Sequence, residues 1–217
     1  MSTRADDDDD AQDGLRTVLL LLNVQHGLVA DARTRIHDGP AVLENIRRVL
    51  AAARAAGTGA GEEEERGIVT GGGGGGPRIV HVRNAGDAGD PDELGTPGWE
   101  LVLHDRDGSD ELVVDKRKNN AFAGTELGRI VAPEAEIVVV GVMSEYSVKS
   151  TVKAALARGN TVILMKGAHG TYDHVALDND GNVTRADTIV AEIEEELDRA
   201  GAVVLDMEFL PNLFEGR

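Results

Sequence analysis

The sequence alternates short, uninterrupted apolar runs with longer amphipathic segments, and this alternation limits the folds that the chain can adopt. The apolar runs lie at residues 17–22, 78–83, 111–115, 136–142, 161–166 and 202–207. Runs of this length are typical of strands that are buried on both faces. Helical patterns lie between them at residues 40–56, 125–131, 144–158 and 187–200. Because strands separated by helices pair in parallel, we predict an α/β fold in which helices cover both faces of a parallel sheet.

Two stretches do not fit this pattern. Residues 1–14 contain a run of five aspartates, and residues 58–77 contain four glutamates and a run of six glycines. Such compositions bury too little apolar surface to offset the entropy lost on ordering. We predict a disordered acidic tail at 1–14 and a low-complexity loop at 58–77, inserted into one domain that spans 15–217. The glycine run is not followed by Lys-Ser/Thr and precedes a strand, so we do not expect a phosphate-binding loop.

Composition excludes several partners. The formal net charge of −17 argues against nucleic acid and anionic membranes, which need basic surfaces. No apolar run approaches the roughly 20 residues of a membrane span, and the N-terminus does not resemble a signal peptide. The absence of cysteine favours a reducing compartment, so we expect a soluble, cytoplasmic protein. The histidine spacing matches no metal signature, and we expect neither a metal nor a cofactor.

The residues that follow the predicted strands are the candidates for a binding site, because ligands of parallel sheets bind beyond the carboxyl ends of the strands. Asn23, Asn84 and Lys116 each lie at such an end, as do the segments 143–147 and 167–172. Lys116 is either a functional charge near other strand ends or a solvated cation in a basic stretch. Asn23 either binds a ligand or caps its loop.

Ser147 lies where an apolar strand passes through a turn into a helix. Free backbone N–H groups in the first turn of a helix stabilise a developing oxyanion, which would suit a nucleophile there. Ser144 as an ordinary helix cap explains the same spacing without any chemistry. The two interpretations are compatible, since a cap and a nucleophile can share one turn.

Taken together, several separated segments resemble the isochorismatase-like, or cysteine hydrolase, superfamily. The three signature regions of that family are matched at 18–28, 114–125 and 139–159, and two further family segments at 95–98 and 167–173. The resemblance implies a three-layer α/β/α, Rossmann-like fold with a six-stranded parallel sheet, usually in a homo-oligomer. It also implies hydrolysis of a small-molecule amide, ureide or imide, or cleavage of a vinyl ether in the isochorismatases proper.

The resemblance assigns roles by position. The family's aspartate, lysine and cysteine fall on Asn23, Lys116 and Ser147, and its oxyanion hole on the backbone N–H groups of Met143 and Ser147. A cis peptide bond is expected between Val142 and Met143. We further expect the substrate-binding residues to comprise apolar walls and two polar contacts, namely Leu28, Trp99, Phe122, His169 and Tyr172.

Two of the three triad positions depart from the family pattern. Asparagine cannot accept a proton and a serine hydroxyl is far less acidic than a thiol, so the thiolate mechanism is unavailable, and the vinyl-ether route lacks its acid. In one explanation Ser147 remains a nucleophile and a desolvated Lys116 is its base, cleaving a small amide, imide or ester. In a second, the protein binds a small molecule or partner, or performs other chemistry. In a third, Ser147 replaces a cysteine by design, which does not account for Asn23.

Overall fold

The computed structural model describes residues 17–58, 76–104, 111–175 and 181–215. The predicted tail at 1–14 and most of the predicted loop at 58–77 lie outside these residues. Six parallel strands form one sheet, and they are β1 (Val18–Leu22), β2 (Arg78–Asn84), β3 (Leu112–Lys116), β4 (Glu136–Val142), β5 (Thr161–Gly170) and β8 (Val203–Leu205). Their order in the sheet is β3-β2-β1-β4-β5-β8. The predicted six-stranded parallel sheet is confirmed.

Helices cover both faces of the sheet. They are α1 (Gly39–Thr58), α2 (Leu127–Ile130), α3 (Lys149–Arg158) and α4 (Ala186–Arg199). Successive residues of β1 point to opposite faces, so Leu19 and Leu21 pack with α1, whereas Leu20 and Leu22 pack with α2, α3 and α4. Burial of β1 on both faces explains why its sequence is apolar without alternation.

The structure corrects the predicted end of β5. The apolar run stops at Lys166, and the prediction therefore ended the strand there. The observed strand continues to Gly170, because a shift in register lets it pair with β4 again beyond the irregularity. Val139 pairs with Leu164, whereas Gly141 pairs with His169. His169, which was expected just after the strand, therefore lies within it.

Several short elements were not predicted. A two-stranded antiparallel sheet joins β6 (His174–Val175) to β7 (Val183–Thr184). Short helical turns lie at His26–Ala30 and Pro97–Trp99, and another occupies Met207–Asn212, where the prediction had extended the last strand. The helix predicted at 144–158 is present as a π-helical turn, Ser144–Val148, followed by α3. No helix in the described residues has both the length and the apolar character required to span a membrane.

Gly141 is the position where the central pair of strands tolerates no side chain. Its φ is +123°, and a Cβ there would lie 2.0 Å from the carbonyl oxygen of Leu22 on β1. We expect Gly141→Ala to destabilise the fold by about 3 kcal/mol or more, because backbone atoms of two buried strands must separate. Urea unfolding measures this free energy. Gly159→Ala is the matched control: its φ is +98°, but the nearest atom is 3.9 Å away. Equal losses for both variants would contradict the steric explanation.

Candidate active site

The carboxyl ends of β1, β3 and β4 bring three buried polar side chains together. Asn23 Nδ2 and Lys116 Nζ each donate a hydrogen bond to Ser147 Oγ, and both bonds are 3.0 Å long. Asn23, Lys116 and Ser147 are each 2% exposed. These residues are remote in sequence, and the parallel sheet places the ends of their strands at one edge. The structure thus assembles the predicted trio, whose catalytic roles stay a prediction.

Ser147 lies on a π-helical turn between β4 and α3. The turn spans Ser144–Val148, and its wide spacing appears in the 3.2 Å hydrogen bond from the Val148 N–H to the Met143 carbonyl oxygen. The peptide bond between Val142 and Met143 is cis, as the family resemblance implies. Met143 and Ser147 therefore bracket the turn that carries the hydroxyl, and their N–H groups remain the predicted oxyanion hole.

Asn23 is fixed in one orientation by its neighbours. Its backbone has a φ of +53°, and its N–H donates to the Val82 carbonyl oxygen at 2.8 Å. Its side-chain Nδ2 donates to the Val142 carbonyl oxygen at 2.7 Å as well as to Ser147. Because a carbonyl oxygen only accepts, the amide cannot be reversed. Asn23 Oδ1 is then left as a buried acceptor that no donor in the described part of the chain reaches.

Lys116 is a buried amine held by neutral acceptors. Besides Ser147, its Nζ donates to Asn84 Oδ1 at 3.1 Å. Burial lowers the pKa of Lys116 from 10.5 to about 8, and the charge of Asp92 opposes this shift. No carboxylate of the described residues pairs directly with the amine. A substantial fraction of Lys116 is therefore neutral, with a free lone pair, near pH 8.

Gln25 was not among the predicted site residues, although it is completely buried beside the site. Its side chain donates to the carbonyl oxygens of Asn84 at 2.9 Å and Trp99 at 3.0 Å, and accepts from the Asn84 N–H at 2.8 Å. These bonds tie the end of β2 and the turn at Trp99 to the end of β1. A glutamine after a strand is not distinctive in sequence. Its position two residues beyond Asn23 is the signal that could have indicated it.

Two of the residues expected to contact substrate, His169 and Trp99, contact residues next to the trio. His169 Nδ1 lies 2.9 Å from Ser144 Oγ, on the turn that carries Ser147. The Trp99 carbonyl oxygen is bound by Gln25, and its ring lies 3.4 Å below the guanidinium of Arg83.

The other three residues make their described contacts with groups outside the trio. Leu28 is part of the α1-side core, against which Tyr172 packs, and the Tyr172 hydroxyl donates to the Thr34 carbonyl oxygen at 2.7 Å. The ring of Phe122 lies 4.6 Å from the guanidinium of Arg158, at the far end of α3. Contact of all five residues with a substrate stays a prediction.

The fold and site define a class of α/β proteins in which a turn that carries a buried polar side chain follows a central parallel strand. The family model of the isochorismatase domain matches residues 17–195. This chain belongs to the isochorismatase family.

Two curated relatives are similar to this chain in sequence. It is 37% and 36% identical, each over 157 residues, to two streptothricin hydrolases of Streptomyces noursei. These alignments cover 71% of this chain but 54% and 50% of the relatives, so the chain spans about half their length.

The structural neighbours show the fold. An isochorismatase from Pseudomonas putida KT2440 has a TM-score of 0.69 at 24% identity, with 91% of each chain covered. A cysteine hydrolase from Pseudomonas syringae pv. phaseolicola 1448A has a TM-score of 0.70 at 17% identity, with 92% of each chain covered. N-carbamoylsarcosine amidase from Thermoplasma acidophilum has a TM-score of 0.62 at 17% identity, covering 89% of this chain and 98% of the amidase.

The low pKa of Lys116 has a consequence for stability. Between pH 8 and 10.5 the unfolded chain keeps a proton that the folded chain has lost, so the free energy of unfolding rises with pH in this window. Relative to Lys116→Met, we expect the free energy of unfolding of the wild type to increase by on the order of 3 kcal/mol between pH 7 and pH 11.

Urea unfolding across this range measures the gain, and the difference between the two proteins cancels the titration of other groups. Lys118→Met is the control, because it removes an exposed lysine two residues further along the chain. A difference that does not change with pH for Lys116→Met would contradict a depressed pKa for the buried amine.

Proposed function

We propose that this protein hydrolyses a small-molecule amide, imide or ester, with Ser147 as the nucleophile and Lys116 as its general base. The observation that carries the proposal is the direct 3.0 Å contact between Lys116 Nζ and Ser147 Oγ in a buried site. A lysine turned to solvent would have favoured a protein without turnover. Membership of the isochorismatase family and the similarity to hydrolases support the reaction class.

Hydrogen-bond directions support this division of roles. Asn23 Nδ2 is a donor, so it binds a lone pair of Ser147 Oγ. The hydroxyl proton of Ser147 therefore remains free to be donated to another group. Neutral Lys116 is an acceptor at hydrogen-bond distance from that proton. Because no carboxylate in the part of the chain that the structure describes touches the amine to hold it charged, a pKa of about 8 makes the neutral form accessible near physiological pH.

The reaction then proceeds in two stages. Ser147 Oγ bonds to the substrate carbonyl carbon while its proton passes to Lys116 Nζ. The Lys116 ammonium returns the proton to the leaving nitrogen or oxygen as that bond breaks, which leaves an acyl-enzyme. Water, deprotonated by neutral Lys116, releases the acid and regenerates Ser147. In this proposal the N–H groups of Met143 and Ser147 bind the oxyanion.

Asn23 takes a different role from a catalytic carboxylate. It cannot exchange a proton with the reacting groups, but its Oδ1 is a buried acceptor whose orientation is fixed. We assign this oxygen to a substrate N–H or to the hydrolytic water. A donor placed there would pair the acceptor and orient the reacting group next to Ser147.

The second candidate function is binding of a small molecule without turnover, and Asn23 is the observation that favours it. With Lys116 protonated, Ser147 Oγ receives hydrogen bonds from two donors and has no base to give its proton to. A site held in that state would bind a ligand and leave it intact.

The wider context of the site is also proposed. The chain from residue 15 onward forms a single domain in which the low-complexity stretch at 58–77 is an insertion, and the family match over 17–195, which runs on both sides of that stretch, supports this division. The protein is a cytoplasmic homo-oligomer, for which the lack of cysteine and the exposed Leu112 and Val113 on the edge strand β3 are the support. Streptothricin is the first substrate to test, because both relatives are streptothricin hydrolases.

Replacement of the hydroxyl tests the nucleophile. We expect Ser147→Ala to lower kcat/KM roughly a thousandfold or more, because it removes the hydroxyl that contacts Lys116 and would form the acyl-enzyme. Hydrolysis of streptothricin and of a panel of small amides and esters, followed by mass spectrometry, measures this loss. Ser150→Ala, three residues further along in α3, is the control and should retain turnover. Unchanged turnover in Ser147→Ala would rule out the serine mechanism, and ligand binding without turnover in the wild type would favour the second function.

The pH dependence tests the base. Because only neutral Lys116 accepts the proton, kcat/KM should rise about tenfold per pH unit below pH 8 and level off above it. Initial rates between pH 5.5 and pH 9.5 at low substrate concentration give this profile. A profile that is flat between pH 6 and pH 8 would exclude Lys116 as the base.

A further inference from the structure

Asp92 is a buried carboxylate that the reaction described above does not use. It lies in the loop after β2 and is 5% exposed. Its Oδ2 accepts a 2.7 Å hydrogen bond from Asn84 Nδ2, and the other end of that amide, Asn84 Oδ1, accepts from Lys116 Nζ at 3.1 Å. A chain of hydrogen bonds therefore runs from Asp92 through Asn84 and Lys116 to Ser147.

The chain has a fixed direction because Asp92 only accepts hydrogen bonds when ionised. The carboxylate therefore holds Asn84 Nδ2, and Oδ1 must face the amine. If the amide were reversed, its NH2 group would face the Lys116 ammonium, and two donors would oppose each other in a buried site. Gln25 already clamps the backbone N–H and carbonyl of Asn84, so the side-chain amide is the part that Asp92 has to orient.

Asp92 is itself held in place. Its backbone carbonyl accepts the Gly86 N–H at 3.1 Å, and Gly86 packs so closely that an added Cβ would lie 2.5 Å from Asp92 Oδ1. The carboxylate thus belongs to a tight turn rather than to a mobile loop tip.

Two charged groups on neighbouring elements are already paired. On β2, Arg83 binds Asp115 of β3 through bonds of 2.7 and 3.1 Å. On the turn that carries Ser147, Glu145 accepts hydrogen bonds from His174 and Thr171. Asp92 is the carboxylate whose charge acts on the Lys116 pKa, and the same charge, after burial, contributes to raising the pKa of Tyr172 to about 12.

We propose that Asp92 is a positioning residue for the reaction. Through Asn84 it directs Lys116 Nζ towards Ser147, and it provides a negative charge near the amine without contacting it. This inference rests on the proposed function for its kinetic part only. It deepens that function by adding two residues, Asp92 and Asn84, to the nucleophile and base.

Asp92→Asn tests the inference kinetically, because it keeps the shape of the side chain and removes its charge. We expect kcat to fall about tenfold with KM changed less than about twofold, since the base is less well aimed while the substrate contacts remain. The midpoint of the kcat/KM profile should fall by roughly 0.5 to 1 unit, because loss of the negative charge disfavours the ammonium. Asp87→Asn is the matched control: it removes the same charge from an exposed position in the same loop.

A second readout does not depend on turnover. The 13Cε resonance of Lys116, assigned by its loss in Lys116→Met, reports the titration of the amine directly. We expect a midpoint near pH 8 in the wild type and in Asp87→Asn, and a midpoint lower by roughly 0.5 to 1 unit in Asp92→Asn. If no substrate is turned over, the proposed function fails, and this titration still decides the role of Asp92. If Asp92→Asn keeps the wild-type rates and midpoint, the inference is overturned while the proposed function stands.

A charge swap covers the case in which Asp92→Asn does not fold. The double variant Asn84→Asp with Asp92→Asn keeps one carboxylate and one amide but places the carboxylate against Lys116. The 13Cε midpoint should then rise above the wild-type value, because a direct ion pair favours the ammonium. An unchanged midpoint in the double variant would also overturn the inference.

Discussion

The site depends on one physical constraint, which is that a buried amine must be satisfied without a carboxylate in contact. Removing Lys116 from water is unfavourable for its charged form, and the described residues offer it two neutral oxygens, Asn84 Oδ1 and Ser147 Oγ. These acceptors stabilise the amine in place but do not hold its proton strongly. The parallel sheet makes the arrangement possible, because the ends of β1, β2 and β3 meet beside the turn after β4.

The two departures from the family pattern make chemical sense as a pair. A serine needs a base, and a lysine is a base only when it is neutral. An aspartate at position 23 would favour the charged amine, whereas Asn23 leaves the amine free to lose its proton and donates to Ser147 itself. The carboxylate that remains, Asp92, reaches Lys116 only through the amide of Asn84. The negative charge near Lys116 is therefore weaker in its effect on the amine than a direct carboxylate contact would be, but it is not absent.

Much of the fold and part of the site could be predicted from the sequence. Apolar runs located the strands because burial on both faces leaves a local signal, and parallel pairing placed Asn23, Lys116 and Ser147 at one edge. The extension of β5 could not be predicted, since a register shift depends on pairing with β4 and not on the residues of β5 alone. Gln25 and Asp92 were missed for a similar reason: their importance comes from partners that are distant in sequence.

The hydroxyl at position 147 also sets how the site responds to oxidants. Thiolates are converted by peroxide to sulfenic and then sulfinic acids, and they react readily with electrophiles. This chain contains no cysteine, and a serine hydroxyl does not enter that series of reactions. The side chain at position 147 is therefore not a target of thiol-directed alkylating agents or of the oxidation that thiols undergo with peroxide, and it needs no reducing partner to stay intact.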